Sequence, residues 1–141
     1  MHQGTLAYRA VAKEIASPRE LEANLLLKAA ARLQAVVDAW DKNRSDLDAA
    51  LLYNRKLWTV FLSSALSQDN PLPVEIRQNI ANLGMFIMSQ TVALSSDPKL
   101  AVVKSLININ AVQSNVNVLL NLNIMIDSHV GELRQLNLSG K

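Results

Sequence analysis

The stretch that decides the fold of this chain is Tyr53-Asn54-Arg55-Lys56-Leu57-Trp58, followed by Asn70-Pro71-Leu72-Pro73-Val74-Glu75-Ile76-Arg77. The first run places a polar and basic cluster beside a large aromatic residue on one predicted helix. Pro73 then fixes the start of a second helix, because proline is pre-organised for the first helical position. No other segment departs so far from a plain helical pattern, so we expect function to lie on a surface rather than in a catalytic group.

Apolar residues recur at helical spacing on both sides of this turn. The stripe before the turn has one polar member, Asn54, among Leu47, Leu51, Trp58, Phe61 and Ala65. The stripe after it consists of Ile76, Ile80, Leu83, Ile87 and Leu94. We therefore predict one helix capped by Ser45 and a second that runs from Pro73 to Ser95-Ser96.

Helix signals also divide the N-terminal part of the chain. Residues 5–16 are predicted to form a short first helix. Ser17-Pro18-Arg19-Glu20 then combines a capping serine, a proline at the first helical position and a glutamate three residues after the serine. This is the strongest helix start in the sequence. The helix is predicted to run to about Trp40, before the polar turn Asp41-Lys42-Asn43-Arg44.

The C-terminal part is predicted to form one long helix that starts at Asp97-Pro98. Residues 116–118 and 121–124 alternate with period two, as in a strand. Steps of three and four continue over the longer range 109–133, which favours a helix. These heptads indicate either a coiled-coil seam, with Asn123 as a buried polar residue that fixes register, or an amphipathic helix packed on its own domain. The predicted fold is all-α, a compact bundle of four or five helices with a long C-terminal helix.

Composition narrows the class of protein. The chain has 141 residues, half of them apolar, so one domain can bury a core. A net charge of +2, from 14 basic and 12 acidic residues spread along the chain, is a poor basis for nucleic-acid binding.

No cysteine is present, which fits a reducing compartment. No secretory signal is readable, and the most apolar run, residues 118–126, is far shorter than the roughly 20 residues of a membrane span. We expect a cytoplasmic protein.

Catalytic chemistry has little support in the sequence. His129, with Asp127 and Glu132 nearby, supplies fewer ligands than a metal site needs, and no thiolate can complete it. The other paired carboxylates lie near predicted helix ends, where capping explains them. Four glycines provide no phosphate-binding loop. We predict no catalytic residue, no metal site, no cofactor and no enzymatic activity.

Asn54 allows two interpretations. It shares a helix face with Leu51 and Trp58, so its amide needs partners if it is buried. In one interpretation Asn54 caps or bridges a neighbouring helix and Trp58 belongs to the core. In the other, the cluster is a binding surface, because tryptophan and arginine are enriched at binding hot spots.

Several segments together resemble a known family. They are Tyr8, Ser17-Pro18-Arg19-Glu20-Leu21-Glu22-Ala23, Asn54-Arg55-Lys56-Leu57-Trp58-Thr59-Val60-Phe61, Asn70-Pro71-Leu72-Pro73 with Ile76-Arg77, Ile80, Leu83, Phe86 and Thr91, and Leu106-Ile107-Asn108-Ile109-Asn110. In order and spacing this set resembles the FlaF family of flagellar biosynthesis regulators over residues 5 to 110. Members usually end soon after the last segment. We therefore expect a FlaF-like helical domain over residues 1–110 and a helical extension or appended segment over 111–141.

The resemblance implies a small cytoplasmic helical protein that binds flagellin, controls flagellin synthesis and helps present the subunit for export. The expected partners are flagellin and proteins of flagellar export or translation control, and direct contact with RNA is not expected. Helix-to-groove recognition would suit this binding, because the helical termini of flagellin are sticky before assembly. The predicted flagellin-binding residues are the apolar anchors Trp58, Phe61 and Phe86 and the orienting polar groups Asn54, Arg55 and Arg77.

Two other classes of function remain open. Arg55 and Lys56 beside Trp58 form the one spot suited to single-stranded RNA, which binds exposed aromatics among basic residues. On that basis the protein would be a post-transcriptional regulator of flagellin message. The C-terminal heptads alone would suit a structural coiled-coil interaction module.

Overall fold

Five α-helices carry most of the residues that the computed structural model describes, which are 17–42 and 45–139. They are α1 (Pro18–Asp38), α2 (Ser45–Leu66), α3 (Val74–Ser96), α4 (Leu100–Leu119) and α5 (Val130–Ser139), and a single 3-10 turn (Asp127–His129) precedes α5. The predicted all-α bundle is confirmed. The predicted helix over residues 5–16 lies outside the described residues.

The start of α1 follows the sequence signal closely. Ser17 is the N-cap, and its hydroxyl oxygen accepts a hydrogen bond from the Glu20 N–H at 3.2 Å. Pro18 occupies the first helical position, where its missing N–H costs nothing. The helix ends at Asp38, two residues before the predicted end at Trp40.

The boundary between α3 and α4 differs from the prediction. Pro73 marks the start of α3, as predicted, but as the N-cap before Val74 rather than at the first helical position. Asp97, however, is the C-cap of α3, where its N–H donates to the Ala93 carbonyl oxygen at 2.9 Å. The last long helix therefore starts at Leu100 rather than at Asp97-Pro98, with Lys99 as an N-cap that makes no side-chain cap bond.

The helices pack as two pairs that share one core. Helix α1 lies along α4, and α2 lies along α3, while contacts between α1 and α2 join the pairs. Gly84 faces α2, where an added Cβ atom would lie 3.4 Å from the Leu62 Cβ, at van der Waals contact. The largest fully buried side chains are Trp58, Phe61, Leu25, Leu26, Leu33, Leu47, Leu51, Leu57, Ile87, Leu94, Leu106 and Ile124. Each buried leucine or isoleucine contributes about 1.5–3 kcal/mol relative to exposure.

Helix α4 ends in a hydrogen-bonded turn that the heptad pattern did not reveal. Asn121 adopts a left-handed conformation with φ of 53°. The Leu122 N–H donates to the Asn117 carbonyl oxygen at 2.9 Å, and the Asn121 N–H donates to the Val118 carbonyl oxygen at 3.4 Å. This is the Schellman arrangement, and asparagine tolerates its left-handed position better than most residues. Residues 109–133 are therefore not one continuous helix.

The segment after this turn, residues 120–126, is called the strap below. Leu122, Ile124 and Met125 are buried in the shared core, and α5 buries Leu133 against the same cluster. Asn123 is exposed, so its predicted role as a buried residue that fixes register is wrong. The C-terminal segment packs on α1 and α2 of its own chain, as the second interpretation of the heptads expected.

Candidate functional site

A buried polar network joins α2 to α4. The Trp58 Nε1–H donates to Asn110 Oδ1 at 2.9 Å, and Asn110 Nδ2 donates to Asn54 Oδ1 at 2.7 Å. All three side chains have 0% exposure. An indole N–H can only donate, so it sets the orientation of the Asn110 amide, which in turn sets the orientation of Asn54. The network fixes how the two helices align.

This geometry distinguishes the two interpretations of Asn54. Asn54 bridges to the neighbouring helix α4, and Trp58 lies in the core. Phe61, also with 0% exposure, packs edge-on against Trp58 with ring centroids 5.4 Å apart and an interplanar angle of 89°. In the folded bundle the three side chains do not reach the surface.

The proline-marked corner between α2 and α3 is locked by two polar side chains of the motif. Arg77 Nη1 donates to the Ser67 carbonyl oxygen at 3.0 Å. The Asn70 Nδ2 group donates to the carbonyl oxygens of Ser64 and Ile124, both at 2.9 Å. Arg77 therefore helps to close the C-terminal end of α2, and Asn70 ties the same corner to the strap. Both residues have a structural role that the sequence alone did not assign.

Glu22 holds the strap from the other side and was missed by sequence reasoning, which explained it as a helix-end carboxylate. Its side chain has 0% exposure and accepts hydrogen bonds from the Ile124 N–H at 2.8 Å, the Met125 N–H at 3.1 Å and Asn117 Nδ2 at 3.2 Å. Burial raises the pKa of this carboxyl from 4.5 to about 7, and the two backbone hydrogen bonds oppose the shift only in part. Its position beside Leu25, on the apolar face of α1, was the signal that could have revealed it.

Ser64 and His129 form a second polar contact between α2 and the C-terminal segment. Ser64 Oγ and His129 Nδ1 are 2.6 Å apart. Although a serine and a histidine at this distance resemble part of a hydrolase site, Ser64 has 0% exposure and no substrate could reach its hydroxyl. Over the ranges 17–42 and 45–139, no three His, Asp or Glu side chains converge as metal ligands would.

A groove with apolar walls runs between α3 and the C-terminal part of α4, and we call it the α3–α4 groove. It has a volume of about 210 Å³. Its lining residues are Ile76, Asn79, Ile80 and Leu83 of α3, Gln113 and Val116 of α4, and Leu120 and Leu122 of the strap.

Other large apolar side chains of the same two helices are also exposed. Phe86, one turn after Leu83, is 47% exposed. Val112 and Leu119, one turn before and after Val116, are 61% and 82% exposed. Single exposed apolar side chains are common, and they mark an interaction site where they form a patch.

Long stretches of both helices beside the groove are uncharged, although Glu75 and Arg77 flank the lining residue Ile76. Between Gln78 and Ser96, and again between Ser105 and Ile126, no residue is charged. The exposed polar residues in these two ranges include Asn79, Asn82, Asn108 and Asn115. Along these two ranges a partner would be held by apolar contact and neutral hydrogen bonds.

A protein-family model described as flagellar protein FlaF matches residues 5–114 of the chain. The chain belongs to the FlaF family. No curated protein and no solved structure shows significant similarity to it. The family segments that contain Asn54, Trp58 and Asn110 meet in the buried network, so these residues connect segments that are far apart in the sequence.

The FlaF-family match ends inside α4, close to the predicted division between residues 1–110 and 111–141. Helix α4 runs through that division without a break, and just beyond it the buried Ser114 Oγ donates to the Ala23 carbonyl oxygen at 3.1 Å. The division into two domains stays a prediction.

The six predicted binding residues do not form one surface. Asn54, Trp58 and Phe61 meet in the core, and Arg77 is half-buried at the corner between α2 and α3. Arg55 is exposed on α2, outside the α3–α4 groove, and Phe86 is exposed beside that groove. In the described part of the chain, no helix is both long enough and apolar enough to cross a bilayer.

Proposed function

We propose that this FlaF-family protein is a non-enzymatic regulator of flagellar biosynthesis that binds flagellin as a cytoplasmic chaperone and controls flagellin synthesis and export. The observation that carries the proposal is the exposed apolar surface along the α3–α4 groove, in a chain whose family is flagellar. Flagellin helices that are unpaired before assembly would bury their apolar stripes there.

The predicted residues take two different roles in this proposal. Phe86 and Arg55 contact flagellin directly, because their side chains are open to solvent. Asn54, Trp58, Phe61 and Arg77 act through the fold, by holding α2, α3 and α4 in the alignment that shapes the surface. Proteins of flagellar export or translation control would then recognise the complex or the released chaperone.

Titration calorimetry of the full-length protein with unassembled flagellin tests the proposal. We expect saturable binding, and we expect Phe86→Ala to weaken it by about 2 kcal/mol if the ring is a hot spot. Leu27→Ala is the matched control, because Leu27 is a similarly exposed apolar residue on α1, away from both proposed contacts. Absence of any heat of binding between the intact protein and flagellin would refute the chaperone function.

The RNA alternative has less support from the geometry. Arg55 and Lys56 are exposed, but Trp58 is buried and cannot stack on a base. Filter binding of the flagellin message leader at increasing salt distinguishes the two functions. Direct RNA binding would weaken steeply with salt and would be lost in Arg55→Ala and Lys56→Ala. Weak, sequence-independent retention would exclude it.

A further inference from the structure

Side chains of other elements hold the middle of the strap in place. The Ile124 N–H donates to Glu22 Oε1 at 2.8 Å, and the Ile124 carbonyl oxygen accepts from Asn70 Nδ2 at 2.9 Å. The Met125 N–H donates to Glu22 Oε2 at 3.1 Å. Within the described part of the chain, residues 123–125 make no backbone-to-backbone hydrogen bond. The middle of the strap is therefore held by Glu22 on one side and by Asn70 on the other.

Both ends of the strap lie at helix boundaries. Asn121, with its left-handed φ of 53°, follows the end of α4, and the 3-10 turn that starts at Asp127 precedes α5. The strap can therefore leave the bundle while α4 and α5 keep their own helical hydrogen bonds. Ile124 and Met125, which are 0% and 5% exposed, would then contact water, so apolar burial favours the closed strap.

Glu22 is the group in this junction that can change its charge, since Asn70 is a neutral amide. The side chain of Glu22 is fully buried, and its hydrogen-bond donors, two backbone N–H groups and the Asn117 amide, are all neutral. In α4 and the strap, no charged residue occurs within 105–126. The ionised carboxylate therefore has no charged hydrogen-bond partner. The titratable and charged residues on the other segments around this junction, none of them fully buried, are Arg19, Glu20 and Lys28 of α1, Asp69 and Arg77 at the corner between α2 and α3, and Asp127, His129, Glu132 and Arg134 after the strap.

The charge of Glu22 affects how readily the strap opens. While the strap covers it, burial raises the pKa of Glu22 to about 7, against the opposing effect of the two backbone hydrogen bonds. Once the strap opens, water solvates the carboxyl and its pKa returns toward 4.5. Opening therefore releases a proton, so a rise in pH from 4.5 to about 7 favours the open strap, and a further rise has no effect. These two pKa values correspond to a change of roughly 300-fold in the opening equilibrium.

We propose that the strap is a pH-sensitive closure, which stays closed over Glu22 in acid and opens locally, without unfolding of the bundle, as the Glu22 carboxyl ionises. Opening also moves Leu122 away from the end of the α3–α4 groove, which Leu122 lines. The closed strap thus fixes the shape of that end of the groove. This conformational change goes beyond the proposed function and does not depend on flagellin binding.

Amide hydrogen exchange of the full-length protein, followed by NMR at a series of pH values, measures local opening. We expect the protection factors of the Ile124 and Met125 N–H groups, which are corrected for intrinsic exchange, to fall as pH rises from 4.5 to about 7. At each pH they should be at least about tenfold lower than those of Leu57 and Trp58, which report unfolding of the core. Equal protection of strap and core at every pH would mean that the strap leaves only when the whole bundle unfolds, and overturns the proposal.

Variants identify the group that titrates. In Glu22→Gln, which cannot ionise, we expect the protection of the strap amides to stay nearly constant with pH, whatever its level. Glu20→Gln is the matched control and should keep the pH dependence, because Glu20 is exposed in the first turn of α1. Asn70→Ala should lower the protection at every pH and keep the same slope. A slope that persists in Glu22→Gln, or that is lost in His129→Gln instead, overturns the assignment to Glu22.

Thiol labelling gives a second measurement, because the chain contains no cysteine of its own. Met125→Cys places a probe in the strap, and Leu57→Cys places one in the core of α2, where the parent side chain has 0% exposure. At pH 7 we expect the strap thiol to react at least about tenfold faster than the core thiol, after each rate is divided by that of the same variant unfolded in urea. Equal corrected rates overturn the proposal of local opening.

Discussion

Two regions of the molecule differ in which groups they bury. One is the junction of α1 with the strap, and the other is the hairpin formed by the successive helices α3 and α4. At the junction a carboxylate, Glu22, is fully buried and its oxygens accept three hydrogen bonds. On the hairpin no charged residue is present between Gln78 and Ser96, yet Phe86 and other large apolar side chains remain in water. The first region is stabilised by contacts within the chain, whereas the second exposes apolar surface to solvent.

The difference shows how the two kinds of surface are specified. Buried polar groups need partners at fixed positions, so they select one arrangement of the helices around them. Exposed apolar groups impose no such geometry and can pack against another chain. We therefore assign a stabilising role to the junction and the buried network, and a binding role to the hairpin of α3 and α4. Four predictions test this division.

The largest expected effect is at Trp58, which belongs to the buried network. Trp58→Ala removes a fully buried indole and leaves a cavity, so we expect the free energy of unfolding in urea to fall by about 3–5 kcal/mol. Trp40→Ala is the control, because Trp40 is only half-buried, and we expect a smaller loss. A Trp58→Ala protein of unchanged stability that fails to bind flagellin would instead make Trp58 a surface anchor.

The second prediction concerns pH and Glu22. Because burial raises its pKa in the folded state, the folded protein keeps a proton that the unfolded chain releases, so stability falls as pH rises from 4.5 to about 7 and levels off above. A shift of this size corresponds to about 3 kcal/mol between the two plateaus. Urea unfolding at a series of pH values measures it.

Glu22→Gln keeps the side chain neutral and should abolish most of this pH dependence. Glu20→Gln, on the exposed side of the first turn of α1, should leave it intact. If the slope of stability against pH is the same in Glu22→Gln as in the parent protein, another group is responsible for it.

A smaller effect is expected from the asparagine pair that bridges α2 and α4. Asn54→Ala and Asn110→Ala each leave a buried polar partner unsatisfied, which costs about 1–3 kcal/mol. Since both changes break the same bond, the double variant should lose less than the sum of the single losses. Strictly additive losses in urea unfolding would show that the two amides do not interact in solution.

The smallest effect on stability is expected at Phe86. Its ring is already 47% exposed, so we expect Phe86→Ser to change the free energy of unfolding by about 0.5 kcal/mol or less. The same substitution should weaken flagellin binding. A large loss of stability without any loss of binding would contradict the division between the two regions.

Sequence patterns predicted the helices well where local chemistry acts alone. Ser17, Pro18 and Glu20 set the start of α1 through contacts within one turn, and they do so in the structure. The C-terminal heptads misled because their spacing continues past Leu119, whereas the chain does not continue as a helix. The left-handed Asn121 ends α4. Asparagine tolerates this conformation but does not require it, so an asparagine in a sequence does not by itself predict a helix end.

The candidate site was less predictable than the fold. Residue type suggested Trp58 and Phe61 as binding anchors, but large aromatic residues serve cores and interfaces equally well, and only their burial distinguishes the two. Phe86 was predicted among the binding residues and lies exposed beside the groove. The groove itself was not predicted, because its walls belong to separate helices and to the strap.

The sequence by itself determined the family, the all-α class and the positions of several helix ends, since these depend on local spacing, capping and motif order. Only the tertiary structure decided that Asn54 meets Asn110, that Glu22 holds the strap, and that apolar side chains of α3 and α4 stay exposed. The physical reason is that a periodic pattern states which face of a helix is apolar. Which other surface covers that face, or leaves it open, depends on contacts between residues far apart in the chain.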